Sequence, residues 1–160
     1  YRELYTSKVT ADVFARKVLE LESGEYIQYG VLDSSTWAKR GDVGPSIAET
    51  MIQQGCRWRQ SDRSPKSRIS GKLEIHKRLL VNDKEPGLRI SKNCRNLIRT
   101  LGTLPTDDKN PEDVDTNAED HAYDALRYGC MSRPMHPTYA KRFKPMFTPE
   151  FKPADNKFGY

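Results

Sequence analysis

Short β-forming runs alternate with amphipathic helical patterns along most of this chain, and that alternation limits the folds open to it. Thr10 can cap a helix running to about Glu22, with Phe14, Val18 and Leu21 on one face beside Ala11 and Ala15. The run from Glu25 to Asp33 is rich in β-formers and reads as a strand. Pro45 opens a second helix whose apolar face is Ile47, Ala48, Met51 and Ile52, and Gly55 stops it. Cys56 to Gln60 alternates as a short strand around Trp58. A longer helix over about Lys66 to Leu80 places Ile69, Leu73, His76 and Leu80 on one stripe, with His76 expected to be buried and hydrogen-bonded. Leu88 to Ser91 reads as another strand, and Asn93 can cap a helix burying Cys94, Leu97, Ile98 and Leu101. Strand-helix repetition of this kind predicts an α/β fold built on βαβ units. Tyr1 to Ser7 looks like the end of a strand whose partners lie upstream, so the chain reads as cut from something longer.

The stretch Thr116 to Tyr128 concentrates the chemistry. Thr116 followed by Glu119 has the spacing of a capping box, which predicts a helix starting there. With 3.6 residues per turn, Asp124 projects between Asp120 and His121, giving three possible metal ligands at one helix start. Ala118, Ala122, Ala125 and Gly129 form a stripe of small residues that predicts close packing of this helix. Acids in a first helical turn are favoured by the helix dipole in any protein. Here, however, Asp107, Asp108, Glu112, Asp113, Asp115, Glu119, Asp120 and Asp124 face only Lys109 locally. Such crowding is repulsive unless the charges are solvated or neutralised by a cation. Asp33, at the carboxyl end of a strand, is the second place where a ligand is expected, although an aspartate followed by serines also suits a plain turn.

The net charge of +5 hides a division along the chain. Between Gly55 and Thr100 lie Arg57, Arg59, Arg63, Lys66, Arg68 and Lys72, followed by further Lys and Arg, against only Asp62, Glu74, Asp83 and Glu85. A cationic surface beside a carboxylate cluster suits a metal-dependent enzyme acting on nucleic acid, with cations on phosphates and carboxylates on metal. With 160 residues, 36% hydrophobic and 31% charged, the chain is expected to form one domain over residues 1–133 and a tail over 134–160, where prolines alternate with Lys, Arg and aromatics. No apolar run approaches the ~20 residues of a membrane span. Cys56, Cys94 and Cys130 lack Cys-x-x-Cys spacing and read as packing residues in a reducing compartment. Asp108-x-Asn110-x-Glu112 lacks the loop glycine of an EF-hand, so calcium storage is set aside.

Three stretches resemble the nuclease domain of the large terminase subunit of tailed bacteriophages. Tyr29-Gly-Val-Leu-Asp33 with Gly44-Pro-Ser-Ile-Ala-Glu49 is similar to the family's second acidic motif and the helix after it. Cys94 to Arg99 with Asn110 to Asp115 resembles the approach to its third motif. Glu119-Asp-His-Ala-Tyr-Asp-Ala-Leu-Arg-Tyr128 resembles the third motif itself, an acidic His-x-x-Asp-Ala run ending in an aromatic.

The resemblance implies a ribonuclease H-like mixed sheet flanked by helices. It also implies a phage- or prophage-encoded endodeoxyribonuclease that cuts concatemeric double-stranded DNA in the host cytoplasm. Two divalent cations, Mg or Mn, would be held by Asp33 and Asp124, with Asp120 or His121 as an added ligand, and would act from about 4 Å apart on one phosphodiester. Arg57, Arg59, Arg63, Lys66, Arg68 and Lys72 would bind the DNA backbone without reading its sequence. The partners implied are an upstream packaging ATPase domain, the portal and the small terminase subunit. The first acidic motif and the Gly-x-x-x-x-Gly-Lys-Ser/Thr loop are both missing from this sequence, so the chain is expected to be inactive alone. A non-catalytic module docking on DNA or portal, and a transposase or resolvase nuclease of the same fold, are the alternatives.

Overall fold

The computed structural model describes residues 1–39, 41, 44–82 and 85–134. Apart from Pro134, the expected tail lies outside the described residues. In chain order the elements are α1 (Ala11–Leu21), β1 (Gly30–Leu32), a 3-10 turn (Ser34–Trp37), α2 (Ile47–Gln53), β2 (Trp58–Gln60), α3 (Ser67–Leu79), β3 (Val81–Asn82), β4 (Glu85–Pro86), α4 (Arg95–Thr103) and α5 (His121–Ser132). The class is α/β, as the alternation predicts, with less sheet than expected. Strand β1 pairs in parallel with β2, Val31 opposite Arg59, while β3 and β4 form a separate antiparallel pair.

The β1-α2-β2 unit follows from its local chemistry. Ser46, in extended conformation, caps α2 reciprocally with Glu49: the Glu49 N–H donates to Ser46 Oγ at 3.2 Å and the Ser46 N–H donates to Glu49 Oε2 at 2.7 Å. The cap is therefore Ser46, one residue after the proline that sequence pattern nominated. Gly55, at φ +107°, turns the chain out of α2 towards β2, a conformation that few L-residues adopt. Gly30 lies against the Trp58 indole, where an added Cβ would come within 2.1 Å of Cζ3. Ala15, Met51 and Cys56 form the core of this half, with Phe14, Val18, Leu32 and Trp58 packed on it.

The second half is organised by α5, which contacts α3, α4 and β1. Its core is Ile75, Val114, Tyr123 and Cys130, joined by Leu101, Leu104 and Leu126. The helix buries Tyr123, Arg127 and Cys130, a 4-then-3 spacing that extends back to buried Asp120. Its packing face is thus a different one from the expected small-residue stripe: Ala125 and Gly129 are exposed. The close approach is supplied instead by Gly71 of α3, where a Cβ would fall 2.4 Å from Arg127 Cγ.

Several local expectations are corrected. The helix expected from Thr116 begins at His121, because Glu119 leaves the capping geometry to bond Arg99 and Tyr5. Helix α3 is rotated from the predicted stripe: Gly71, Glu74 and Ile75 are buried, whereas His76 is exposed and Leu73 is 53% exposed. The rotation turns Arg68, Lys72 and Arg78 towards partners on the acidic loop and α5. Residues 88 to 91 form no ladder. Residues 1 to 7 are also unpaired and are held by side chains, with Glu3 accepting the free N–H groups of Asn96 and Leu97 at the start of α4. No helix among the described residues is long and apolar enough to cross a membrane.

Candidate functional site

Asp33 directly follows β1, and Asp124 lies in the first turn of α5, the helix packed beside that strand. The Tyr128 hydroxyl sits between the two carboxylates. It donates to Asp33 Oδ2, a partner 95 residues away, and lies 3.3 Å from Asp124 Oδ2. Asp124 and Tyr128 share one face of α5 through their four-residue spacing. Val31, Leu32, His121 and Ala125 complete a cavity of about 220 Å³ around the acids. Two residues far apart in the chain are therefore brought to one site, at the carboxyl end of a parallel strand.

Each acid is held differently. Asp33 caps the 3-10 turn, its Oδ1 accepting the Ser35 N–H at 2.6 Å. Burial pulls its pKa up, but the donors Tyr128 and Ser35, with Arg127 nearby, hold it below the usual carboxylate range. Asp124 Oδ1 accepts Arg127 Nε at 3.0 Å, and Arg127 Nη2 lies at the same distance. Arg68 Nη1 stands 3.6 Å from its other oxygen. Asp120 is buried at the helix start, 3.9 Å from Arg68; burial first and the Asp124 charge second raise its pKa. The His121 imidazole lies out in solvent at the cavity mouth, its Nδ1 3.7 Å from Asp120.

The acidic crowding read from the sequence is relieved from outside the acidic segment. Arg68 Nε donates to Asp113 at 2.8 Å and extends towards Asp120 and Asp124, while Lys72 Nζ donates to the carbonyls of Pro111 and Asp113. Arg99 forms two 2.7 Å hydrogen bonds with Glu119. Within the loop, Asp107 and Asp115 accept the N–H groups of Lys109 and Asn117. Near this network the Tyr123 hydroxyl and Arg68 Nη2 are buried without a hydrogen-bond partner, and burial pushes the Tyr123 pKa up to about 12.

Of the six basic residues singled out as DNA-binding, Arg68 and Lys72 point into this acidic network. Arg57, Arg59, Arg63 and Lys66 are exposed. Arg59 stacks over the Tyr29 ring at 3.9 Å, and Arg57 over Tyr26 at 5.2 Å. Sequence reasoning did not assign Arg127, Tyr128 and Asp113 to the site. The signal for the first two was their i+3 and i+4 spacing from Asp124; Asp113 had no local signal.

No family model, curated protein or solved structure matches the chain. The site is accordingly read from its own chemistry. Asp33 and Asp124 are hard oxygen donors suited to Mg or Mn. Among the described residues no group of three or more His, Cys, Asp and Glu is placed to hold a metal ion. The residues present thus offer two carboxylates, Asp33 and Asp124, and His121 is not placed with them as a third ligand.

Proposed function

We propose that this chain is nuclease-domain sequence of a phage DNA-packaging terminase large subunit, an endonuclease cutting concatemeric double-stranded DNA with divalent cations. The observation that carries the reading is the meeting of Asp33 and Asp124 on the Tyr128 hydroxyl. It coincides with the second and third acidic stretches that resemble the family. On this reading, the first acidic motif and the packaging ATPase belong to an upstream region of the same protein. The portal and small terminase subunit are its partners in the host cytoplasm.

Asp33 and Asp124 are the residues that would hold a cation. The chemistry such a cation supplies is polarisation of a phosphodiester oxygen and a water acidic enough to attack at neutral pH. The chain's own residues prepare that position. Tyr128 sets the spacing of the two carboxylates, while Arg127 and Arg68 orient Asp124 from its other side. The side chain of His121 at the cavity mouth is placed to meet an entering phosphate.

Two assays test this. Titration of residues 1–160 with Mn²⁺ should show one weak site that disappears in Asp33→Asn and in Asp124→Asn. Plasmid cleavage should be feeble for this chain and strong once a strand-borne upstream aspartate is supplied, then abolished by either substitution. Vigorous cleavage that survives both would place the chemistry elsewhere. A non-catalytic docking module is the second reading, favoured by the arginines that already neutralise Asp124. On that reading no metal-dependent cleavage appears in the extended protein.

A further inference from the structure

The alternation of a strand puts Tyr29, Val31 and Asp33 on one face, so the surface carrying Asp33 continues back along β1 to Tyr29. Two guanidinium groups stand over the Tyr29 ring there: Arg59 from β2 at 3.9 Å and Arg133, just past α5, at 5.6 Å. Arg57 over Tyr26 extends the same series. Among the described residues Arg57, Arg59 and Arg133 have no carboxylate partner, whereas Arg68, Arg99 and Arg127 all do. Arg133 donates to the Gln28 side-chain oxygen at 3.3 Å and also interacts with Tyr29.

Cavities open beside Tyr29. One of about 270 Å³ runs between Arg59 and Tyr128, and another of about 570 Å³ runs between Tyr26 and Arg133. The one acid lining the first is Asp62, whose oxygens accept the N–H and hydroxyl of Ser64. These bonds hold its oxygens on its own turn and keep the carboxylate ionised. Arg133 and Ser132 act on the Tyr29 hydroxyl to lower its pKa, burial opposes them, and Arg59 adds to the lowering.

We infer that Tyr29, Arg59 and Arg133 form a phosphate-binding subsite that holds the backbone of a duplex DNA strand leading into the Asp33–Asp124 cavity. The inference rests on the nuclease reading for the identity of the DNA, but its residues are fixed by geometry. An arginine held on an aromatic face keeps its N–H edge free for phosphate oxygens and loses less side-chain freedom on binding. At a rise of roughly 3.3 Å per residue, Tyr29 lies about 13 Å from Asp33 along the strand. Phosphates of one DNA strand wind around the duplex while advancing ~3.4 Å along its axis per nucleotide, so the subsite holds a phosphate within a few nucleotides of the one at the acids.

The test is duplex binding by residues 1–160 in EDTA, where cleavage plays no part, followed by fluorescence anisotropy at rising salt. Arg59→Ala and Arg133→Ala should each lower the salt slope by about 0.9, reducing the affinity lost between 50 and 200 mM salt by roughly 3.5-fold. Arg16→Ala, which removes a guanidinium paired with Asp12, should leave the slope unchanged. Tyr29→Leu preserves every charge and should still weaken binding, whereas Tyr29→Phe keeps the ring and most of the affinity. Circular dichroism checks that each variant is folded. If Arg59→Ala and Arg133→Ala match Arg16→Ala, or if Tyr29→Leu binds like the parent, the subsite is wrong and the nuclease reading stands. If the parent does not bind duplex DNA, both fall.

Discussion

At the scale of single residues, Tyr128 governs the spacing of the acids. Its hydroxyl donates to Asp33 and lies 3.3 Å from Asp124, and burial, followed by the Asp33 hydrogen bond, raises its own pKa. Tyr128→Phe removes the shared donor and leaves two carboxylates facing one cavity. The expected result is a rise in the Asp33 pKa towards the ordinary carboxylate value, read from its side-chain carbon chemical shift across a pH titration. Stability at neutral pH should fall by about 2 kcal/mol in urea unfolding, the range for a hydrogen bond to a charged group. An unchanged Asp33 titration would mean that Ser35 and Arg127 hold that carboxylate without help. Part of this residue's importance was legible in advance, as the aromatic ending the third acidic stretch. That it reaches Asp33 was not, because the contact crosses from α5 to β1.

At the scale of elements, the site depends on how closely α3 approaches α5. Gly71 leaves room for the stem of Arg127, whose guanidinium holds Asp124. Gly71→Ala places a methyl group against a side chain that is only 4% exposed and has little room to yield. The helix-propensity gain of about 1 kcal/mol should be outweighed by overpacking of about 1–3 kcal/mol. A net loss of stability, together with a weakened Asp124–Arg127 pair, is therefore expected. Thermal unfolding reads the first and the Asp124 titration reads the second. A variant more stable than the parent would show that the two helices separate at no cost. The small-residue stripe on α5 pointed correctly to close helix packing but to the wrong residues, since any run of Ala and Gly suits an exposed surface as well as an interface.

At the scale of the whole molecule, ionised carboxylates tie distant segments together, which predicts how stability responds to acid. Glu119 joins the amino-terminal segment to α4: hydrogen bonds from Arg99, then Tyr5, lower its pKa to about 2. In Glu3 and Asp113 burial raises the pKa, and hydrogen-bond donors more than reverse it. A carboxylate whose folded pKa lies below its unfolded value stabilises the fold above the unfolded value, and that contribution is lost as pH falls through the folded one. Asp120 works in the opposite sense, because its raised pKa makes ionisation costly in the folded chain and acid relieves that cost. Depressed groups outnumber this one, so the urea midpoint should decline as pH drops from about 4.5 towards about 2. Arg99→Ala should shift the Glu119 part of the decline to higher pH. A midpoint that rises on acidification would indicate that Asp120 dominates.

The sequence by itself determined the α/β class, the existence of the five α-helices among the described residues, and the places of Asp33 after a strand and Asp124 in a first helical turn. Those features are written in local terms: caps, glycine stops and apolar spacing act over a few residues and are readable one segment at a time. Tertiary structure alone decided that Arg68, Arg99 and Arg127 neutralise the acidic loop and that Glu3 caps α4. It also decided that α3 turns Leu73 and His76 outward. A charged side chain is equally compatible with solvent and with a partner, so the residue pattern cannot say which it meets until helices from distant parts of the chain are brought together. The same limit separates Arg59, stacked on Tyr29 beside β1, from Arg68, which sequence placed in the same basic run and the fold directed inward to Asp113.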